Sequence, residues 1–144
     1  MKENYVSFGT AVLLKERGFD EKCCKVYMQG ELKSASCCME GESCVDNDDI
    51  KAAANYEGWI EYTQGDYAIL APTLQRALEW LVEEKEILVS VNPTIDKDGI
   101  VCVMYYIWRL DDINEEAVKS GFYSVDGYIE CIDDGIKYCL ENLV

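Results

Sequence analysis

The spacing of apolar residues along the chain predicts three helices, over about residues 7–17, 73–86 and 128–143. Ser7 is a suitable N-cap for the first helix, and Gly18 stands where a residue in the left-handed conformation would end it. In the second helix, apolar residues recur at helical spacing on one face, opposite a face of glutamates. These apolar residues are Leu74, Ala77, Leu78 and Leu81.

The last predicted helix separates an apolar face from an acidic one. Its inner face would comprise Tyr128, Ile132, Gly135, Ile136, Cys139, Leu140 and Leu143. Its outer face would carry Glu130, Asp133, Asp134, Lys137 and Glu141. Gly135 on the inner face predicts a close approach to a strand, because glycine has no Cβ to keep the two backbones apart.

Between the helices, strand-like segments predict hairpins. Residues 87–92 and 100–109 are expected to pair across a loop at 93–99, and residues 59–70 read as two further short strands. The 100–109 segment, IVCVMYYIWR, is apolar on both faces. We therefore expect either an interior strand covered on both sides or a strand in a subunit contact, which leaves a homodimer through this strand open.

This order of elements predicts an α+β fold in a single domain spanning residues 1–144. The domain would consist of an antiparallel sheet of four or five strands packed with about three helices, in the order α-β-β-α-β-β-α. The acidic, turn-rich stretch 39–57 would contain at most one or two helical turns, near residues 49–55.

The stretch CCKVYMQGELKSASCC, residues 23–38, begins and ends with two consecutive cysteines. Neighbouring residues on a strand point to opposite faces, so neither pair can easily chelate one ion, and the chain has no histidine to complete a ligand set. No metal site is predicted. We interpret the stretch as a hairpin that uses cysteine as a small apolar residue.

The register of this hairpin depends on its turn. A turn centred on Gln29-Gly30 would place Cys24 opposite Ala35, whereas a turn at residues 30–31 places Cys24 opposite Cys37 and gives one apolar face. Burial favours the second register. All eight cysteines are expected to be reduced, with cross-strand disulfides at 24–37 or 23–38 as the alternative under oxidation.

The chain has 28 acidic and 13 basic residues, a net charge of −15, which argues against nucleic acid or an anionic membrane as a direct partner. The acids concentrate in residues 34–50 and 111–144. They either keep the protein in solution or form an acidic face that competes for a basic surface on another protein. Residues 46–49, Asp-Asn-Asp-Asp, match a calcium loop only in part and are interpreted as a solvated loop.

Several chemistries are disfavoured. Without histidine the chain has no Ser-His or Cys-His pair, and it contains no glycine-rich phosphate loop or dinucleotide motif, so no cofactor is predicted. Asp133 and Asp134 are adjacent on a helix and splay by about 100°, which prevents them from working easily as a pair. No signal peptide pattern opens the sequence, and the longest apolar run is too short to span a membrane, so we expect a cytoplasmic protein.

Three segments carry a resemblance: SFGTAVLLKERGFDEKC, APTLQRALEWLVEEKEI and DGYIECIDDGIKYCLENL. Together they resemble a family of short uncharacterised proteins of gut Bacteroidales and their phages. The matched residues are Leu14, Lys15, Gly18, Phe19, Cys23, Ala71, Pro72, Thr73, Ala77, Trp80, Asp126, Tyr128, Glu130, Gly135, Ile136 and Leu140. The three segments cover about a third of the chain, which departs from the family at Lys22 and Gly127. The resemblance implies a phage or mobile-element origin and no activity.

The sequence thus favours a non-catalytic protein that binds a host protein through an acidic surface. The candidate binding residues are Glu130, Asp133, Asp134 and Glu141. The alternative is a small-molecule-binding protein, which would need a pocket lined by Trp59, Trp80 or Trp108. A third hypothesis is an enzyme that uses a cysteine or paired carboxylates.

Overall fold

The computed structural model describes residues 3–57, 68–112 and 116–144, without the side chains of 55–57. The chain divides into two compact units: a first unit, Tyr5–Thr73, and a second unit, Leu74–Val144 with the residues up to Asn4. The predicted α+β class is confirmed. The described strands form two antiparallel three-stranded sheets, one in each unit, where the sequence predicted one sheet of four or five strands. The single domain over 1–144 stays a prediction.

The described residues of the first unit form two helices and a sheet with strand order β2-β1-β3. Its elements are α1 (Phe8–Glu16), β1 (Lys25–Met28), β2 (Glu31–Ser34), a 3₁₀ turn (Ala35–Cys37), α2 (Asn47–Glu57) and β3 (Ile69–Leu70). The helix α2 is longer than the one or two turns predicted. Of the two strands predicted over 59–70, residues 59–67 lie outside the described residues.

Both predicted ends of α1 are confirmed. The Ser7 side chain accepts a hydrogen bond from Thr10 N (3.3 Å), which caps the first turn. At the other end Gly18 has φ +95°, and Phe19 N donates to Leu14 O (2.9 Å). This is a Schellman motif, in which the left-handed residue lets the chain turn back to satisfy the last carbonyls of the helix.

The hairpin register favoured from the sequence is wrong. β1 and β2 pair Lys25 with Ser34, and Ala35 N donates to Cys24 O (2.9 Å), so the turn is Gln29-Gly30. Both turn residues have positive φ, as in the type I′ turn that matches the twist of a hairpin. The burial argument failed because every residue of β2 is exposed, so neither register buries an apolar face there.

The structure joins Cys24 to Cys44 in a disulfide, so the prediction of eight reduced cysteines is wrong for these two. Neither alternative pairing, 24–37 or 23–38, forms. Cys23 and Val45 exchange backbone hydrogen bonds (2.8 and 2.9 Å) in a short antiparallel bridge. The next residue pair along this bridge, Cys24 and Cys44, therefore lies face to face. The other six cysteines, all among the described residues, form no disulfide.

In the second unit, the residues with a described position form two helices and a sheet with strand order β4-β5-β6. Its elements are α3 (Leu74–Lys85), β4 (Ile87–Ile95), β5 (Val101–Arg109), β6 (Val118–Lys119), a second 3₁₀ turn (Val125–Gly127) and α4 (Tyr128–Asn142). The second and third predicted helices are thereby confirmed. β5 is the central strand of its sheet, as one of the two interpretations of 100–109 predicted, but Val101 and Trp108 are exposed, so the strand is not covered over its whole length on both faces.

The loop predicted at 93–99 is too long, because β4 continues through Pro93 to Ile95. Leu110 N donates to Glu86 O and Asp96 N to Ile100 O, so the ladder hydrogen bonds fall on the even-numbered residues of β4. Pro93 is odd-numbered, and β4 is at the edge of its sheet. The missing N–H of the proline therefore faces away from β5 and removes no ladder bond.

Helix α4 packs on β4 and β5 at Gly135, as predicted. A Cβ on Gly135 would lie 2.9 Å from Val89 Cγ1 and 3.2 Å from Tyr105 Cγ. The buried residues of α4 are Cys131, Ile132, Gly135, Ile136, Cys139 and Leu140. The predicted inner face was wrong for Tyr128, which is 45% exposed, because this first helical residue precedes the part of the helix that rests on the sheet.

We predict that Gly135→Ala destabilises the second unit by about 1 kcal/mol. The new methyl would overpack the contact with Val89 and Tyr105, and this cost exceeds the helix propensity gained from alanine. Urea unfolding measures the change. Gly121→Ala is the control, since no heavy atom within 4 Å meets a Cβ added there. Equal stability of Gly135→Ala and the wild type would contradict the close approach.

Candidate functional site

The four acids predicted to form a binding face are not equivalent in the structure. Glu130 and Glu141 are exposed, whereas Asp133 and Asp134 are half-buried. Glu130 and Glu141 are separated by eleven residues, or about 16 Å along the helix axis. The fold therefore does not gather the four carboxylates into one compact site, and each end of α4 has its own surroundings.

Asp134 has a structural partner. Its Oδ2 accepts a hydrogen bond from the Tyr123 hydroxyl (2.7 Å). Tyr123 in turn exchanges two backbone hydrogen bonds of 2.9 Å with Val103 of β5. Burial, and then the hydrogen bond to Asp134, raise the pKa of Tyr123 well above its usual range. The pair attaches the segment before α4 to both the sheet and the helix, so Asp134 positions that segment.

The neighbouring thiols are poor nucleophiles. Burial raises the pKa of Cys131 to about 11, with a further contribution from Asp134, and burial raises the pKa of Cys139 to about 12. Both thiols are fully buried and protonated at neutral pH, whereas a nucleophilic cysteine needs the thiolate. The Asp133-Asp134 pair has one carboxylate bound to Tyr123. These groups therefore give the enzyme hypothesis no support.

Part of the acidic stretch 34–50 serves the fold. Asp46 and Asp49 each accept a hydrogen bond from the backbone N–H of the other (3.0 Å), a reciprocal cap on α2. Asp49 also pairs with Lys22 Nζ (3.0 Å). The hydrogen bond from the Asp46 backbone, followed by that from Lys22, lowers the pKa of Asp49. The interpretation of 46–49 as a solvated loop is thus wrong, because these residues begin a helix.

A surface that the sequence analysis did not identify lies in the second unit. Of the thirteen exposed large hydrophobic residues in the described part of the chain, seven fall in two short segments, 95–101 and 122–129. We call them the hairpin-end patch: Ile95, Ile100, Val101, Phe122, Val125, Tyr128 and Ile129. Exposed apolar residues scattered singly need no explanation, but a concentration of them is typical of an interaction surface.

These two segments lie at the same end of the sheet. Residues 95–101 form the tip of the β4–β5 hairpin. Tyr123 pairs with Val103, two residues from the beginning of β5, and the 3₁₀ turn and α4 follow Tyr123 directly. The 3₁₀ turn also packs against β5. The chain thereby brings Phe122, Val125 and the first turn of α4 to the hairpin tip.

The patch is bordered by negative charge. Asp98, Asp126 and Glu130 are exposed. Asp96 accepts hydrogen bonds from Asp98 N (2.9 Å) and Ile100 N (3.0 Å), which shapes the hairpin turn. Lys97 is the single basic residue within 95–101 and 122–130. Glu130 is therefore the member of the predicted acidic set that lies beside exposed apolar surface.

The pocket predicted for a small molecule has no support from its tryptophans. Trp59 lies outside the described residues. Trp80 is buried, with Lys85 Nζ 5.4 Å from its ring centre, and Trp108 is exposed on β5. The described part of the chain has a cleft of about 380 Å³ in the first unit and a groove of about 330 Å³ in the second. No tryptophan lines either of them.

Among the residues with a described position, no group of three or more histidine, cysteine or acidic residues is placed to hold a metal ion. Within the same ranges, no helix has the length and apolar character to cross a membrane. Comparisons with protein-family models, curated proteins and solved structures found no match to this chain.

We predict that Tyr123→Phe lowers the free energy of unfolding by about 1–2 kcal/mol, because it leaves a half-buried Asp134 carboxylate without this donor. The raised pKa of Tyr123 adds a pH dependence. The folded state keeps the phenol proton above pH 10, where the unfolded state loses it, so this stabilisation is complete below about pH 10 and is lost as pH rises towards the folded pKa.

Urea unfolding at pH 8 and at pH 10.5 checks both effects. The wild type should lose more stability between these two pH values than the phenylalanine variant loses. Tyr106→Phe is the matched control, since the hydroxyl of Tyr106 lies 3.9 Å from Met104 Sδ and is not bonded to a carboxylate. Parallel pH profiles of the wild type and Tyr123→Phe would contradict the assigned role of the Tyr123–Asp134 pair.

Proposed function

We propose that the protein is a non-catalytic binding protein that captures another protein through the hairpin-end patch and the acids beside it. The observation that carries the proposal is the concentration of exposed apolar side chains at one end of the second unit, bordered by Asp98, Asp126 and Glu130. In this arrangement the apolar residues supply affinity, and the carboxylates supply orientation and association rate.

The charge pattern defines the partner further. A chain of net charge −15 repels other acidic surfaces, and the patch itself adds more negative than positive charge. The partner surface is therefore basic, with apolar side chains at its centre. A cytoplasmic host protein is the proposed partner, in keeping with the phage or mobile-element origin that the resemblance implies. Binding of a small molecule remains the alternative hypothesis.

Removal of apolar area from the patch should weaken capture. We expect the double variant Ile100→Ser, Val125→Ser to bind the captured partner at least about tenfold more weakly, since centrally buried contacts are each worth more than about 1 kcal/mol. Leu32→Ser is the matched control, because Leu32 is a similarly exposed apolar residue of the first unit. Titration calorimetry gives the dissociation constants. Wild-type affinity in the double variant would exclude the patch as the binding surface.

The carboxylates should act on the association rate. Asp126→Lys with Glu130→Lys should slow association, and the wild-type rate should fall with added salt, because the screening length shrinks from roughly 10 Å at 0.1 M to about 3 Å at 1 M. Glu141→Lys, at the other end of α4, is the control and should change the rate less. Stopped-flow mixing measures these rates. Equal rates in all variants, unaffected by salt, would leave the acids with a solubilising role only.

The homodimer through 100–109 also stays a proposal. Trp108 and Leu88 are paired across β4 and β5, on the face opposite the one that Gly135 contacts, and each is about two-fifths exposed. A dimer through this face would have twice the chain mass of 16.4 kDa and would dissociate in Trp108→Ser. Light scattering coupled to size-exclusion chromatography decides this. The mass of a single chain at high protein concentration would exclude the dimer.

A further inference from the structure

The Cys24–Cys44 disulfide is accessible from one side. Cys24 is exposed and Cys44 is half-buried. Beside the bond lies an open hollow of about 550 Å³, within the first unit. Its lining includes Cys24, Lys25 and Glu42, with the serines Ser34, Ser36 and Ser43. A small molecule therefore has room to approach Cys24 without any rearrangement of the fold.

The bond attaches an acidic turn to the sheet. Residues 38–44 follow the 3₁₀ turn and carry two exposed carboxylates, Glu40 and Glu42. The backbone hydrogen bonds of the turn are local, since Met39 N donates to Ala35 O (3.0 Å) and Glu42 N to Met39 O (3.2 Å). The disulfide instead connects the end of the turn covalently to the residue before β1. The disulfide and the neighbouring Cys23–Val45 bridge together hold the end of the acidic turn against the residues before β1.

We propose that Cys24–Cys44 is a thiol–disulfide exchange site, which a low-molecular-weight anionic thiol of the glutathione class opens to release the acidic turn. The thiolate attacks the Sγ of Cys24, the Cys24–Cys44 bond breaks, and Cys44 leaves as a thiolate that takes a proton from water. A second thiol then attacks the small-molecule sulfur of the mixed disulfide and frees Cys24. Two thiols are oxidised to one disulfide, and the protein disulfide is reduced by two electrons.

The surroundings favour this reaction at Cys24 over Cys44. Exchange requires access to the sulfur that is attacked, and Cys24 is the more exposed partner. Lys25, whose Nζ donates to Ser34 Oγ (3.2 Å), places a positive charge at the hollow and Glu42 a negative one, which suit the carboxylates and the ammonium group of a thiol of the glutathione class. In a reducing compartment, thiols of this class are the ones that keep protein disulfides open.

The experiment follows the thiols and the acidic turn in the full-length protein. Purified without reductant, the native protein should have Cys24 and Cys44 joined, as shown by peptide mapping after alkylation. After addition of reduced glutathione, both cysteines should become accessible to alkylation. An intermediate that carries one glutathione on Cys24 should be detected by its increase in mass. Cleavage after Glu40 and Glu42 by a glutamate-specific protease should then become at least about tenfold faster, because local opening exposes the turn.

Two variants separate the switch from general unfolding. Cys24→Ser with Cys44→Ser should be cleaved as fast as the reduced wild type, with unchanged far-UV circular dichroism. Cys37→Ser is the control, since Cys37 is an exposed free cysteine close to the same turn and its removal should leave the rate unaltered. Three outcomes would each overturn the proposal. Cys24 and Cys44 could be unlinked before reduction, the cleavage rate could be unchanged after reduction, or the double variant could lose the whole fold. The outcome is independent of the hairpin-end patch, which lies in the second unit.

Discussion

The close approach of α4 to the sheet at Gly135 is the contact on which the arrangement of the second unit depends. Val89 and Tyr105 occupy the space where any other residue would have a Cβ, so the helix lies directly on β4 and β5. Two neighbouring interactions fix its start: the Tyr123–Val103 bridge and the hydrogen bond from Tyr123 to Asp134. Because α4 is held at Gly135 and the chain before it is held at Tyr123, residues 122–129 lie next to the hairpin tip. The exposed apolar patch is a consequence of this geometry.

The acids of the chain divide into two groups with different roles. Asp46 and Asp49 cap a helix, and Asp134 binds a tyrosine hydroxyl, so these carboxylates are used within the fold. Others, such as Glu42 and Glu130, are exposed and available to a partner. The two proposals concern this second group: one acidic region borders the apolar patch in the second unit, and the other is attached by a disulfide in the first.

Helices were the part of the fold that local sequence predicted best. The Ser7 cap, the left-handed Gly18 and the apolar periodicity of residues 74–81 act within one or two turns, and each appears where the pattern placed it. The β1–β2 register was predicted wrongly because it was argued from burial, and β2 has no buried face. The turn is instead Gln29-Gly30, with both residues at positive φ, a conformation that a burial argument does not predict.

The candidate site was predictable only in part. The sequence by itself determined the α+β class, the helix that carries Glu130 and the need for a glycine where that helix meets a strand, because these follow from periodicity and from side-chain size. Only the tertiary structure decided which acids are free, which cysteines are joined and which apolar residues stay exposed. Each of these depends on residues far apart in the chain, as in the pairing of Cys23 with Val45 or of Val103 with Tyr123. A local pattern contains no information on such pairings, because they arise when separate strands and helices pack.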